Sequence, residues 1–513
     1  MMEICAAPSR SMRLRDYAFV AAVIGLMTAG HSFAVPYVAN QNQYFAHAVG
    51  DRSPSLQGDW FIGTLDPYPA FTGFVRVIVD IGGVTAVRLL AVSATALALL
   101  AVFILARAIT GHRGLATPTA AVILVGATLS VGRLGSIIPL DWSVSAFQGF
   151  AAQYLLMKPG YFQPSTTGVL VLLAFALFVR YFSATHMSRL STAITAVALV
   201  TMAGLLAPTN AVITGMALLA AVIADQLTGR GFQRIRWYVV AGVGAVAGSV
   251  VGNPAILALG NPSPDVREAL ERFAFELFPI HTLATNWPVD DSTLLLVIAI
   301  AVIIAPIGGV SSWLTRWILI GTALALVLAL VSFALRNPTL ALLFPWRVSV
   351  IIVPIAATLI AVRLAQWLSK LPHDHWRPKM LLFAAVIAVP GLASSAAKQP
   401  PAVAEPYVAA VQRANPQGVG LIPLSAGPVR LNAEVPVYVD AMTPPYAGDD
   451  LVEFWKRFDN AKQFEADPET FCSGSWATDI DWLVVPDGNT APSCTRDWSL
   501  LEESGGWSIY QRP

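Results

Sequence analysis

The densest group of side chains able to do chemistry follows the first long apolar run: Asn40, Gln41, Asn42, Gln43, Tyr44, His47, Asp51, Asp59, Trp60, Asp66 and Tyr68. An acid fixed at the edge of a membrane can take a proton from an acceptor hydroxyl delivered at that surface. Amides and phenols bind hydroxyl-rich ligands but do not serve as that base. Asp59, in LQGDWF, is the first candidate. Trp60 and Phe61 seat in the interface and hold its carboxylate against apolar surface, where loss of water raises basicity. The competing reading is a helix cap or a solvated carboxylate. Asp66, in LDPYP, comes second, because Asp-Pro also reads as a turn.

Cations form the other half of a possible site. Arg88, Arg133, Lys158, Arg336 and Arg347 fall near the ends of apolar segments, on the side where basic residues are otherwise scarce. A cation there must snorkel to headgroups or meet an anion. Arg347, in FPWRVSVIIV, starts an apolar helix beside Trp346. Guanidinium forks bind phosphate oxygens in pairs, so several such side chains converging would suit a lipid phosphate. Lys158 opens a turn-rich stretch (KPGYFQP) that either lines a cavity or simply connects two helices. His281 and its neighbouring acids lack metal-ligand spacing.

The elements that must position these groups are membrane helices. Of 513 residues, 56% are hydrophobic and only 12% charged, about half the charge of a soluble domain. A net charge of +1 gives no footprint for nucleic acid. Apolar segments recur at 17–39, 84–110, 117–134, 166–184, 190–207, 209–227, 236–258, 292–310, 314–335, 347–369 and 378–396, so the fold expected is an α-helical polytopic membrane protein of about eleven spans. The first segment follows Arg10, Arg13 and Arg15 but is too long for a signal peptide. The basic clusters at the N-terminus, Arg107 with Arg113, Arg180 with Arg189, Arg230 to Arg236, Arg316, and Arg363 to Lys379 all fall on one side. That places the N-terminus in the cytoplasm. It leaves three long outer loops, 40–83, 135–165 and 259–291, the last rich in acids.

Within the first loop, Pro69 to Ile81 carries Arg76 and Asp80 among apolar residues and reads as an interfacial helix or an early start to the second span. Residues 1–398 thus form a transmembrane domain, and 399–513 a small mixed α/β domain outside the membrane. Strands are expected at 419–424, 435–440, 480–485 and 507–511, and an amphipathic helix at 450–464. Cys472 and Cys494 share that domain and could pair in an oxidising compartment. It contains no phosphate loop or nucleophile elbow.

Taken together, NQNQYFAHAVG with LQGDWF, YFQPSTTGVLVLLAFALFVRYF, FPWRVSVIIV, and the tail motifs VRLNAEVPVYVD and LVEFWKRF resemble a group of bacterial membrane proteins related to the GT-C class of membrane glycosyltransferases. The resemblance implies a multi-pass protein of the plasma (inner) membrane, its C-terminal domain outside, working in the cell envelope. It further implies a polyprenyl-phosphate-linked sugar as donor and a glycan, lipid or protein acceptor. Asp59, with Asp66 behind it, stands where the loop acid would act; Arg347, Lys158, Arg133, Arg336, Gln43 and Tyr44 stand as substrate contacts. Whether a divalent cation assists stays open. Members of the class commonly place an acid directly after the first span, whereas this chain has Asn40 to Gln43 there. Either Asp59 fills the role or the chain keeps binding without transfer. Two other classes compete: a transporter or flippase, which would carry ionisable groups in mid-membrane or paired broken helices, and a scaffold protein.

Overall fold

A computed structural model describes Tyr37 and residues 41–110, 162, 164–183, 190–229, 234–253, 262–277, 309–368, 406–424, 429–446, 448–486, 489–504 and 506–513. The spans expected at 117–134 and 378–396, 17–39 apart from Tyr37, nearly all of 292–310, the residues Arg133 and Lys158, and the domain join at 398 lie outside the described residues.

The membrane part is built from α1 (Gln41–Val49), α2 (Pro69–Thr110), α3 (Gly168–Ser183), α4 (Leu190–Leu206), α5 (Pro208–Leu227), α6 (Ile235–Gly252), α7 (Pro264–Arg272), α8 (Gly309–Ala334), α9 (Pro338–Leu342) and α10 (Ser349–Leu368). Among the described residues, 208–227, 235–252 and 312–334 are long and apolar enough to cross a membrane; shorter apolar helices run over 96–109, 168–182, 190–206 and 349–360. The expected count of about eleven spans is therefore not reproduced among them. α2 is two helices in one: Gly82 (φ −151°) and Gly83 (φ +58°) leave helical geometry, and the second adopts a conformation that favours glycine. The segment before the break exposes Val77 and Ile81, while Arg76 donates to the His47 carbonyl at 2.9 Å and Asp80 pairs with Arg52.

Spacing by four explains how closely α4 and α6 pack. Gly244, Gly248 and Gly252 lie one turn apart, and a Cβ at the last two would strike the carbonyls of Thr201 and Leu205, as one at Gly204 would strike that of Ala245. Small residues let helix backbones approach where lipid provides no hydrophobic push between them. Elsewhere the bundle buries aromatic bulk: Trp317 is fully buried and its indole N–H donates to the Ala217 carbonyl at 2.8 Å. A carboxylate at one end of the bundle, Asp225, accepts from Trp313 (2.8 Å) and Tyr238 (3.1 Å) and faces Arg234 at 3.4 Å. An ionisable group in an apolar bundle needs that degree of pairing.

The C-terminal unit contains α11 (Pro406–Ala414), α12 (Asp449–Ala466), α13 (Thr470–Ser473) and a four-stranded mixed sheet of β1 (Gly420–Leu421), β2 (Trp482–Pro486), β3 (Ser499–Ser504) and β4 (Trp507–Gln511). The sheet order is β1-β2-β4-β3, with β1 and β2 parallel and the rest antiparallel. The strand expected at 435–440 is reduced to one bridge, Val437 to Gly420, because its backbone and side chains are turned to partners in the first outer loop. In α12, Asp449 and Asp450 occupy the first turn, where negative charge complements the helix dipole. Leu451, Phe454, Trp455, Ala461 and Phe464 form its buried face. That face packs on Val266, Ala269, Leu270 and Phe273; the Trp455 indole donates to the Ala269 carbonyl at 2.9 Å, and Arg272 grips Asp459 with two bonds of 2.8 and 2.9 Å. The unit is thus fastened to the helical stretch 264–273. Cys472 and Cys494 form a disulfide with Cα atoms 5.5 Å apart.

Candidate functional site

α1 is short, yet almost all of it is buried, because its polar residues find partners instead of water. Gln41 donates to the Phe162 carbonyl (3.1 Å), Asn42 to Asp440 Oδ2 (2.8 Å) and Gln43 to the Pro444 carbonyl (2.5 Å). Tyr44 and Tyr446 share a hydroxyl contact of 2.9 Å, and Tyr446 also donates to Gln43 Oε1 at 3.4 Å. Asn42 and Gln43 thus bind the C-terminal unit while Gln41 binds the Phe162 carbonyl, and Gln43, expected as a substrate contact, bridges to residues 444–446.

Asp59 lies deeper still. Its Oδ1 accepts from the backbone N–H groups of Phe61 (3.0 Å) and Ile62 (3.3 Å); its Oδ2 accepts from Arg430 Nε (2.8 Å) and the Val437 N–H (2.9 Å). The Asp59 side chain has no exposed surface and that of Arg430 is 1% exposed. Arg430 continues to Thr443 Oγ1 at 2.8 Å and Asp440 Oδ2 at 3.9 Å, and lies 5.0 Å over the Phe61 ring. Two carboxylates thus share one buried guanidinium between the first outer loop and the C-terminal unit. Burial pushes the Asp440 carboxyl up to about 6, against the opposing pull of Arg430 and the hydrogen bonds from Met442 and Asn42. Beside them His47 is 7% exposed, with no partner for Nε2 among the described residues. Burial lowers its basicity, and the Asp66 charge partly restores it.

Asp66 is differently placed. Among the described residues only Oδ1 is engaged, by the Tyr68 N–H at 2.8 Å, and the residue is half-exposed. Its neighbours Leu65, Pro67 and Tyr68 line a cavity of about 340 Å³ with Val246, Phe344 and Tyr446. The walls are almost wholly apolar, with Tyr68, Tyr446, Thr209 and Ser249 as the lining residues that carry hydroxyls. The Tyr68 ring packs edge-on against Tyr44 (5.2 Å) and Tyr446 (5.7 Å). Burial pushes both cavity-lining phenols up, neighbouring tyrosines add to the effect, and the Arg347 charge opposes it. They remain neutral donors at any physiological pH. Arg347 itself lies 4.2 Å over the Phe344 ring and has no carboxylate partner among the described residues.

Of the expected contacts, Arg347 lies over the ring of the cavity-lining Phe344 but is not itself among the lining residues. Asp59 is not among its lining residues. Arg336 is 74% exposed in side chain and faces Glu271 at 3.5 Å, a surface pairing. Arg430, Asp440 and Tyr446 were not singled out by sequence reasoning, and Tyr68 only as a member of the polar group in the first loop. Arg430 reads as one more cation in a polar tail, and nothing in VRLNAEVPVYVD tells that its guanidinium meets a carboxylate 371 residues away.

No family profile and no curated protein matches the chain. Among solved structures, ArnT from Cupriavidus metallidurans bound to undecaprenyl phosphate superposes with a TM-score of 0.53 at 12% identity, covering 98% of each chain. The chain has a GT-C fold. The oligosaccharyltransferase of Archaeoglobus fulgidus in its apo form gives a TM-score of 0.45 at 13% identity over 93% of this chain and 70% of that one. A GT-C chain is an integral membrane protein.

Proposed function

We propose that this protein is a membrane glycosyltransferase that takes a sugar from a polyprenyl-phosphate carrier and passes it to an acceptor on the outer face of the plasma membrane. The observation that carries this reading is the apolar cavity of about 340 Å³ bounded by Tyr68 and Phe344, with Arg347, a cation without a carboxylate partner among the described residues, over the Phe344 ring. An apolar wall suits an isoprenoid, and a guanidinium with a neutral phenol suits the phosphate that leaves. The undecaprenyl phosphate carried by the ArnT structure supports the same ligand class.

In the transfer, the acceptor hydroxyl oxygen attacks the anomeric carbon, the bond from that carbon to phosphate oxygen breaks, and the lipid phosphate departs with the electron pair. Arg347 stabilises the departing charge. Asp66, with Oδ2 unengaged among the described residues and its chain neighbours on the cavity wall, takes the acceptor proton. Asp59, saturated by four donors, holds the loop instead. The disulfide supports an oxidising compartment for the C-terminal unit, which agrees with a cytoplasmic N-terminus.

The test is release of polyprenyl phosphate from a panel of polyprenyl-phosphate sugars by purified protein. Arg347→Ala is expected to lower kcat/KM by about 10- to 150-fold, the worth of a charge-assisted contact. A wild-type protein that cleaves no member of the panel and binds no polyprenyl phosphate overturns the reading.

A further inference from the structure

We propose that the C-terminal segment 440–446 is a wall of the lipid-phosphate site, with Tyr446 supplying a hydroxyl to the phosphate and the Asp59, Arg430 and Asp440 cluster acting as the positioning device that holds it there. The inference rests on the donor reading above and goes further, because it makes the C-terminal unit part of the site instead of a cover over it.

The geometry converges on one short stretch of chain. Tyr446 lines the same cavity as Tyr68. Its hydroxyl meets that of Tyr44 at 2.9 Å, and its ring is held edge-on by Tyr68 (5.7 Å) and Phe273 (5.4 Å). Two residues upstream, the Pro444 carbonyl accepts from Gln43; one before that, Thr443 Oγ1 accepts from Arg430, which is itself bound to Asp59. Asp440 closes the segment by accepting from Asn42. The hydrogen bonds that hold 440–444 to the membrane part come from Asn42 and Gln43, with Asp59 acting through Arg430. A polar group aimed at a ligand must be fixed to well under an ångström to be useful, and these anchors supply that fixity from both ends of the segment.

The chemistry fits a phosphate. Tyr68 and Tyr446 are neutral phenols on a cavity wall that is otherwise almost wholly apolar, and Arg347 lies over the ring of Phe344 on the same wall. A phosphate that enters takes the Tyr446 O–H in exchange for its present contacts with Tyr44 and Gln43, and no carboxylate is among the described lining residues to repel it.

The test uses the full-length protein in detergent with undecaprenyl phosphate alone, which carries no sugar. Tyr446→Phe keeps the ring and its edge contacts and is expected to weaken binding about tenfold, the worth of one hydrogen bond to a charged group, with the thermal midpoint of the lipid-free protein lowered only slightly by loss of the hydroxyl contacts to Tyr44 and Gln43. A photoreactive polyprenyl phosphate should label residues 440–446 in the wild type. Tyr446→Phe binding undecaprenyl phosphate as tightly as the wild type, while Arg347→Ala does not, overturns the role of Tyr446 and leaves the donor reading standing. Absence of binding to the wild type overturns both.

Discussion

Replacing Asp59 and Asp66 one at a time by asparagine separates a positioning carboxylate from a reacting one. At Asp59 the substitution removes the negative charge facing a guanidinium that is 1% exposed and forces an amide to present a donor to Phe61 and Ile62 N–H groups on one side or to Arg430 and Val437 N–H on the other. Breaking one partner of a buried ion pair costs about 3–5 kcal/mol, a large share of the total stability of an ordinary domain. The loss should appear as a lowered thermal midpoint in detergent and as faster amide exchange across 429–443, at the interface between loop and C-terminal unit. Asp66→Asn keeps the one oxygen that Tyr68 N–H uses, so stability should change by no more than about 0.5 kcal/mol, while removal of the base lowers turnover by about 10²- to 10⁴-fold. Asp59→Asn with an unchanged midpoint and unchanged exchange would refute the structural argument. Full turnover in Asp66→Asn would refute the catalytic one.

Three further outcomes are expected. The Asp440 carboxyl holds its proton to about pH 6 in the folded chain, against 3.8 in the unfolded one. Its contribution is therefore fully present below the lower value and lost as pH rises through the upper, about 3 kcal/mol in all; urea unfolding of wild type against Asp440→Asn between pH 4 and 7 measures the difference in slope. Removing the Cys472 to Cys494 disulfide, which closes a separation of 22 residues, should cost about 3 kcal/mol, read as loss of protease resistance on Cys494→Ser or on reduction. Gly248→Val drives a side chain into the Thr201 carbonyl and should destabilise the α4 and α6 pair by about 1–3 kcal/mol, visible as an earlier midpoint in detergent-to-SDS titration.

How much of this was legible depends on the range of the interactions. Helices such as 208–227 and 235–252 are stated locally, by runs of apolar residues near membrane length, and the amphipathic α12 by its spacing of Leu451, Phe454, Trp455 and Ala461. The break at Gly82 and Gly83 falls between the stretch 69–81, expected as an interfacial helix, and residue 84, expected to open the second span. β3 escaped notice because Ser499, Leu500, Leu501, Glu502 and Glu503 do not alternate, and a bulge between Leu500 and Glu502 disrupts the register. For the site, the loop acids and Arg347 were visible as residues of the right type near membrane ends. What distinguishes them is the identity of their neighbours, Arg430 for Asp59 and the cavity-lining Leu65, Pro67 and Tyr68 for Asp66. Those partners come from the opposite end of the chain, where no local pattern points back to them.

The distance along the polypeptide between Asp59 and Arg430, 371 residues, also sets an order of events at the ribosome. At about 5–20 residues per second, roughly 20–70 s separate their emergence. Throughout that interval the anion that will sit in the dry seam has no counter-charge, and α1 has none of its C-terminal anchors. The first loop therefore finishes last: it is threaded early and sealed only when the final segment of the chain arrives.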